Sequence, residues 1–369
     1  MVVAGLPKFG IVRRWAGLPI FGLRQLKSQQ NQPMSKISTL VQTNPAEAKT
    51  KVRYRLQNWA EYNRALEKRG SITVYFSDEV IQDWYAAPAA NPSRGGQQVY
   101  SDTCIETIMM FKTVFGQGYR QVRGFTLSIL QLMGLCELRV PSYTQVNRRF
   151  RALPIAPFAI PPASGPLTLV IDATGVKVYG DGEWKVRQHG ISKRRTWRKL
   201  HLGADEQDGF IHCHTTTLAS VHDSAELIPL LDQVQQQSPE VDVTAVCLDG
   251  AYDTQECIDE LLRRNIDPIV PPRRDAAPWP EKETVPDGRV YPRNQAIARI
   301  KEVGREEWKR ESGYHRRSLA ETAMFRYKNT FGPQLYSRKF INQQQENTMK
   351  IKALNTMTGL GMPKSVALI

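Results

Sequence analysis

Five prolines and a glycine fall between Pro154 and Pro166, and the character of the chain changes across them. A stretch this rich in proline neither continues a helix nor sits inside a sheet, so residues 154–166 read as a linker. Ahead of it, from Tyr54 to about Arg151, apolar residues recur at helical spacing. Behind it, residues 167–178 form a β-rich run broken by one acid, Asp172. A chain of 369 residues is too long for one ordinary core. The expected organisation is therefore α/β: a helical domain over 52–153, then a mixed sheet flanked by helices over 167–345, closed by a helix and tail over 346–369.

In the helical part, Asn58 opens one helix and Ser77 caps another. Residues 101–115 are amphipathic, with Ile105, Ile108, Met109 and Phe111 turned inward. Residues 119–134 read as two helical pieces around Gly124. Pro141-Ser142-Tyr143 then starts a short basic helix carrying Gln145, Asn147, Arg148, Arg149 and Arg151. A cap followed by a short helix of this composition is how a helix-turn-helix recognition helix reads. An ordinary solvent-facing helix fits the same residues, and both readings stay open.

In the α/β part, residues 197–204 and 209–218 form a hairpin across Asp205-Glu206-Gln207-Asp208. Asp223 reads as a cap for a helix over 225–234. A strand over 241–248 ends at Asp249. Asp253 and Glu256 fit a capping box for a helix over 254–264, which leaves Asp249 free for chemistry. A strand over 267–270 stops at Pro271-Pro272, and an insertion over about 275–311 is polar first and helical afterwards.

Net charge is +14 and the isoelectric point about 9.6, which points to a polyanion, with nucleic acid the first candidate. The excess is uneven. Residues 1–50 carry seven Lys or Arg against one Glu in an irregular extension (1–51), and residues 183–199 again carry seven against one. In that second run Lys185, Arg187, Arg194, Arg195 and Arg198 are suited to neutralising phosphates. Trp184 and Trp197 could stack on an unpaired base or serve as core. No run of about 18 apolar residues exists, so nothing spans a membrane. Five cysteines, an odd count with no Cys-x-x-Cys, argue against a disulfide framework or zinc ribbon and fit reduced thiols in a cytosolic protein. His212, Cys213 and His214 lack a suitably spaced fourth ligand, and on a strand 213 faces away from 212 and 214, so zinc is not expected there.

The segment from Gly313 to Lys328 reads as helix. At ~100° per residue, Tyr314, Arg317, Glu321 and Lys328 fall at roughly 0°, 300°, 340° and 320°, one polar stripe about 60° wide. The opposite arc holds Leu319, Ala320, Ala323, Met324 and Tyr327, suited to packing on a sheet. One carboxylate is thus flanked along a ridge by two cations and a phenol. If the strands bearing Asp172 and Asp249 are neighbours, the helix can deliver Glu321 to both. Three carboxylates in one place can hold two Mg²⁺ ions about 4 Å apart, enough to activate a water or 3′-hydroxyl for in-line attack on a phosphodiester.

Asp172, Asp249 and Glu321, with Tyr314, Arg317 and Lys328 in the pattern Tyr-x-x-Arg-x-x-x-Glu-x-x-x-x-x-x-Lys, resemble the DDE transposases of bacterial insertion sequences, in particular the insertion-sequence-five family. Residues 182–190, 197–202, 249–254 and 352–355 resemble it too. The likeness runs from about Tyr54 to the C-terminus and leaves 1–50 outside. It implies a ribonuclease H-like catalytic fold and an N-terminal domain that binds terminal inverted repeats. It also implies metal binding by Asp172, Asp249 and Glu321, with Tyr314, Arg317 and Lys328 holding DNA near the cleaved bond. The implied reaction is cleavage of double-stranded DNA at the element's ends and joining of the 3′-hydroxyls to target DNA, dependent on two Mg²⁺ with Mn²⁺ able to substitute. A homodimer or higher oligomer holding two ends is implied, acting in the cytoplasm at the bacterial nucleoid. The alternatives are a metal-dependent nuclease of the same fold and a non-catalytic DNA-binding repressor derived from a transposase.

Overall fold

The computed structural model describes residues 53–88, 97–155, 165–178, 196–280 and 291–368. The basic extension, most of the proline-rich linker, part of the insertion and the residues Trp184, Lys185, Arg187, Arg194 and Arg195 lie outside them. Arg53–Ile369 is one compact unit.

Strand β1 (Arg53–Leu56) is followed by five helices: α1 (Trp59–Lys68), α2 (Asp78–Gln82), α3 (Asp102–Val114), α4 (Tyr119–Leu132) and α5 (Tyr143–Phe150). The starts of α3 and α5 follow from local chemistry. The Ser101 hydroxyl accepts the Cys104 amide at 2.9 Å to open α3. Ser142 and Gln145 satisfy each other's backbone N–H in a capping box that opens α5. Ile105, Ile108, Met109 and Phe111 all turn inward as the spacing requires, and pack with Trp84, Leu130, Val146 and Phe150. Residues 119–132, expected as two pieces, are one helix. Gly124 costs such a helix only about 1 kcal/mol, and buried Val122, Thr126, Ile129 and Leu130 hold it in place.

The sheet contains β2 (Leu167–Val178), β3 (Trp197–Asp205), β4 (Ile211–Leu218), β5 (Val243–Cys247), β6 (Asp267–Ile269) and β7 (Gln334–Leu335). The order is β4-β3-β2-β5-β6, with β7 beside the end of β2. β2, β3 and β4 run antiparallel, whereas β5, β6 and β7 join in parallel. Alternation along β2 assigns its two faces. Leu167, Leu169 and Ile171 pack toward α6 (Leu227–Gln237) and α7 (Gln255–Arg263), whereas Val170 and Val176 pack toward α10 (Ser318–Phe331). Between these lie α8 (Pro292–Val303) and α9 (Arg305–Glu311) of the insertion.

The final helix, α11 (Phe340–Gly359), begins six residues ahead of the helix and tail expected over 346–369. Its Met349 and Ala353 enter the helical core while Ile351 and Leu354 enter the core under the sheet, so one element joins both layers. After it, β8 (Ser365–Leu368) pairs antiparallel with β1, a small sheet that neither four-residue segment announces alone. Three capping assignments are corrected. Ser77 stands at the N-cap position of α2, but its side chain accepts no hydrogen bond from that helix. Asp223 caps nothing; its carboxylate takes Lys199 at 2.9 Å. Thr254, not Asp253, caps α7, and Asp253 is buried against Arg293 at 2.6 Å. All five cysteines are free thiols. Among the described residues no helix is long and apolar enough to cross a membrane.

Candidate active site

β2 and β5 are parallel neighbours in the register Val170↔Cys247. Two residues further along each strand line come Asp172 and Asp249, on the face that Val170 and Cys247 share with Ala320 of α10. The strands therefore bring the two aspartates to one level of the sheet, and the helix brings Glu321 one residue past Ala320. Asp172 is nearly buried, and its Oδ1 accepts the Ala173 amide at 2.8 Å. Asp249 accepts the Ala251 amide at 2.8 Å, opening a short 3-10 turn over Gly250–Tyr252.

Arg317 joins the acids. Its Nη2 donates to Asp172 Oδ2 at 3.0 Å and its Nη1 to Glu321 Oε1 at 2.9 Å. Burial pushes the Asp172 carboxyl above the ordinary carboxylate range. The Ala173 amide and the Arg317 charge pull it back, and the Asp249 and Glu321 charges add to the rise. The Asp249 and Glu321 charges thus both reach Asp172. Their oxygens are not all within 4.8 Å of one another; the trio of ligating residues that meets that spacing among the described residues is Asp205, Asp208 and His212.

The segment 314–328 departs from one uniform helix. Tyr314–Arg317 is a 3-10 turn entered through Gly313 at φ +69°, and α10 begins at Ser318. Residues in the tighter turn advance faster than 100° each, which carries Arg317 over the sheet toward Asp172. Ala320, Ala323, Met324 and Tyr327 are buried as expected, but Leu319 is exposed. Lys328 Nζ donates to Thr174 Oγ1 at 2.5 Å, on the same face of β2 as Asp172. The Tyr314 phenol is raised by burial, with Asp249 and Asp172 contributing and Arg317 opposing. Tyr314, Arg317, Glu321 and Lys328 thus line one side of the acid pair.

Other sequence-marked cations have different surroundings. The Arg198 Nε donates to Gln343 Oε1 at 2.8 Å and its guanidinium covers the Phe340 ring, so this side chain knits β3 to α11. Trp197 is 41% exposed and packs against Gly175 and the Lys177 ammonium, outside the core. On α5, Arg148 is exposed, whereas Arg149 is tied to Asp102 and the Tyr100 carbonyl. Both belong to the helical layer.

The β3–β4 turn gathers a group that sequence spacing missed. His214 shares a hydrogen bond with Thr348, and both it and His212 line a cavity beside α11; a ring nitrogen of His212 also lies within 4.8 Å of carboxylate oxygens of Asp205 and Asp208. Registers Gly203↔Cys213 and Ala204↔Ile211 leave His212 as the extra residue of a β-bulge, which breaks the strict alternation assumed for 212–214. Burial, and the Asp208 charge beside it, push the Asp205 carboxyl upward.

The sequence family described as Transposase DDE domain matches residues 163–356, just over half of the chain. The chain belongs to that family. A second match of the same description covers residues 67–181, so the likeness to transposase sequences extends through the helical layer. The solved piggyBac transposase synaptic complex with hairpin DNA is 9% identical, over 79% of this transposase and 75% of that chain, with a TM-score of 0.33. That likeness is too loose to transfer any residue.

Proposed function

We propose that this transposase, on a ribonuclease H-like architecture, binds the terminal inverted repeats of a bacterial insertion sequence, cleaves the DNA at the ends and joins the 3′-hydroxyls to target DNA. The observation that carries the reading is the parallel β2–β5 register, which aligns Asp172 with Asp249 while Arg317 ties Asp172 to Glu321. Oxygen-only donors, with the Asp249 and Glu321 charges reaching Asp172, fit hard divalent ions, which Asp172, Asp249 and Glu321 would hold. Two Mg²⁺, or Mn²⁺ in their stead, would supply when bound the activation of the attacking hydroxyl and neutralisation of the leaving oxygen.

The remaining work falls to side chains. Arg317 neutralises Asp172 and Glu321 in the absence of DNA and must release them before both carboxylates can ligate. Once released, its guanidinium is a bidentate donor to a phosphate next to the reacting bond. Lys328, held by Thr174, and the Tyr314 phenol bind phosphate oxygens on either side and orient the strand. Net charge +14 supports a DNA partner, and two ends held together require at least a dimer.

A strand-transfer assay with pre-cleaved repeat ends tests the reading. Wild-type protein with Mg²⁺ is expected to join the ends to target DNA. Cutting without joining would assign a nuclease instead, and repeat binding with neither reaction would assign a repressor.

A further inference from the structure

The β3–β4 turn holds chemistry that the acid pair and its helix do not use. Asp205 is 5% exposed and His212 6% exposed, while Asp208 stands at the surface. One donor atom from each lies within 4.8 Å of the others. Ligands about 2 Å from a common ion stand ~3–4 Å apart, so a side-chain adjustment of an ångström or less closes the site. The His212 Nε2 is buried with no hydrogen-bond partner, an expensive state for an imidazole with nothing to ligate or donate to. Among the described residues neither carboxylate forms an ion pair with a lysine or arginine; the Arg326 guanidinium stands beside Gly209 but donates to Thr358. His212 reaches them because it is the extra residue of the β-bulge opposite Gly203 and Ala204.

We propose that Asp205, Asp208 and His212 bind a divalent transition-metal ion, Mn²⁺ or Zn²⁺, that fixes the β3–β4 turn. An imidazole beside two carboxylates favours such ions over Ca²⁺ or Mg²⁺. Asp205 pairs across the sheet with Leu169, three residues before Asp172, or about 10 Å along β2 at 3.3 Å per residue, so this ion is separate from the reacting centre. Its consequence reaches that centre through Glu206, which lies between the ligands in sequence and pairs with Arg316 at 2.7 Å. Arg316 adjoins Arg317. An ordered turn therefore anchors the 3-10 segment that carries Tyr314 and Arg317. The proposal does not depend on the transposition reading.

The test uses the full chain with Asp172→Asn, Asp249→Asn and Glu321→Gln, so that the acid pair and its helix no longer bind ions. Mn²⁺ is titrated and followed by electron paramagnetic resonance. The expected result is one bound Mn²⁺ per chain with ¹⁴N coupling from an imidazole, displaced by Zn²⁺. Adding His212→Gln should abolish the coupling and weaken binding at least tenfold. Asp208→Asn, at an exposed position that leaves folding intact by circular dichroism, should weaken binding severalfold. Absence of a bound ion in the starting variant, ¹⁴N coupling that survives His212→Gln, or affinity unchanged by Asp208→Asn would overturn the proposal. None of these outcomes bears on DNA cleavage by the wild-type acids, so the two readings fail separately.

Discussion

The Arg317 guanidinium stands 3.0 Å from the Asp172 carboxylate through Nη2, and its Nη1 donates to Glu321 at 2.9 Å. A monovalent cation thus bridges two of the three acids proposed to hold divalent ions. Arg317→Ala should therefore bind Mn²⁺ more tightly than wild type in the absence of DNA. Each partly exposed ion pair is worth about 1 kcal/mol or less, so the gain is roughly two- to tenfold by titration calorimetry. The same variant should cleave DNA ~10²-fold more slowly, because the phosphate loses a preorganised donor. Unchanged or weaker Mn²⁺ binding would mean that Arg317 does not compete for the carboxylates.

Asp172 is held with its carboxyl above the ordinary range, chiefly by burial. A folded-state value raised above the unfolded one contributes stability below the unfolded value, and that contribution is lost as pH rises through the folded one. At neutral pH the ionised acid therefore weighs against folding. Asp172→Asn should melt no lower than wild type at pH 7 while losing ~10³-fold or more of its cleavage rate. Thermal melts with and without the substitution, at pH 7 and near pH 4, check the sign: the stability difference should shrink toward the acid end.

Asp253 and Arg293 make an ion pair whose side chains are 1% and 7% exposed, with the guanidinium stacked 4.0 Å over Trp279. Removing one partner strands a buried charge. Asp253→Ala should cost about 3–5 kcal/mol in urea unfolding, and replacing both partners by apolar residues should recover much of it. A small loss would place this pair in contact with water.

Much of the geometry around Asp172, Asp249 and Glu321 is legible in sequence because its logic is local. Lone acids in or after apolar strands, and a polar stripe on a helix, are patterns of period 2 and 3.6. Parallel pairing of β2 with β5 then does the assembly. What escaped depends on contacts across the chain. Asp253 looks like a cap because its partner, Arg293, lies forty residues away. His212 looks inert because its bulge is visible only once β3 is laid beside β4. β1 and β8 are short segments whose pairing partner lies at the other end of the described chain.

Gly203 marks a close approach between strands. A Cβ there would meet the Cys213 sulfur at 2.6 Å and Ile171 at 3.2 Å. Gly203→Ala should destabilise by about 1–3 kcal/mol through overpacking, and Cys213→Ala in the same chain should restore part of the loss. Chemical denaturation of the two single variants and the double variant reads the coupling directly.

On α5, Arg148 is exposed and Arg149 is committed to Asp102. Arg148→Ala should weaken binding to repeat DNA and reduce the slope of log affinity against log salt by about one phosphate contact, ~0.9. Arg149→Ala should instead lower the melting temperature. An unchanged salt slope in Arg148→Ala would move end recognition to another surface.

Whether Asp172, Asp249 and Glu321 act as one metal-binding unit is read by comparing DNA cleavage by Asp172→Asn, Asp249→Asn, Glu321→Gln and the triple variant, each checked for intact end binding. Groups that act as a unit lose nearly everything when any one is removed. All three single variants are expected to fall to the same background as the triple. Cleavage that survives at a tenth of the wild-type rate or more in any single variant contradicts such a unit.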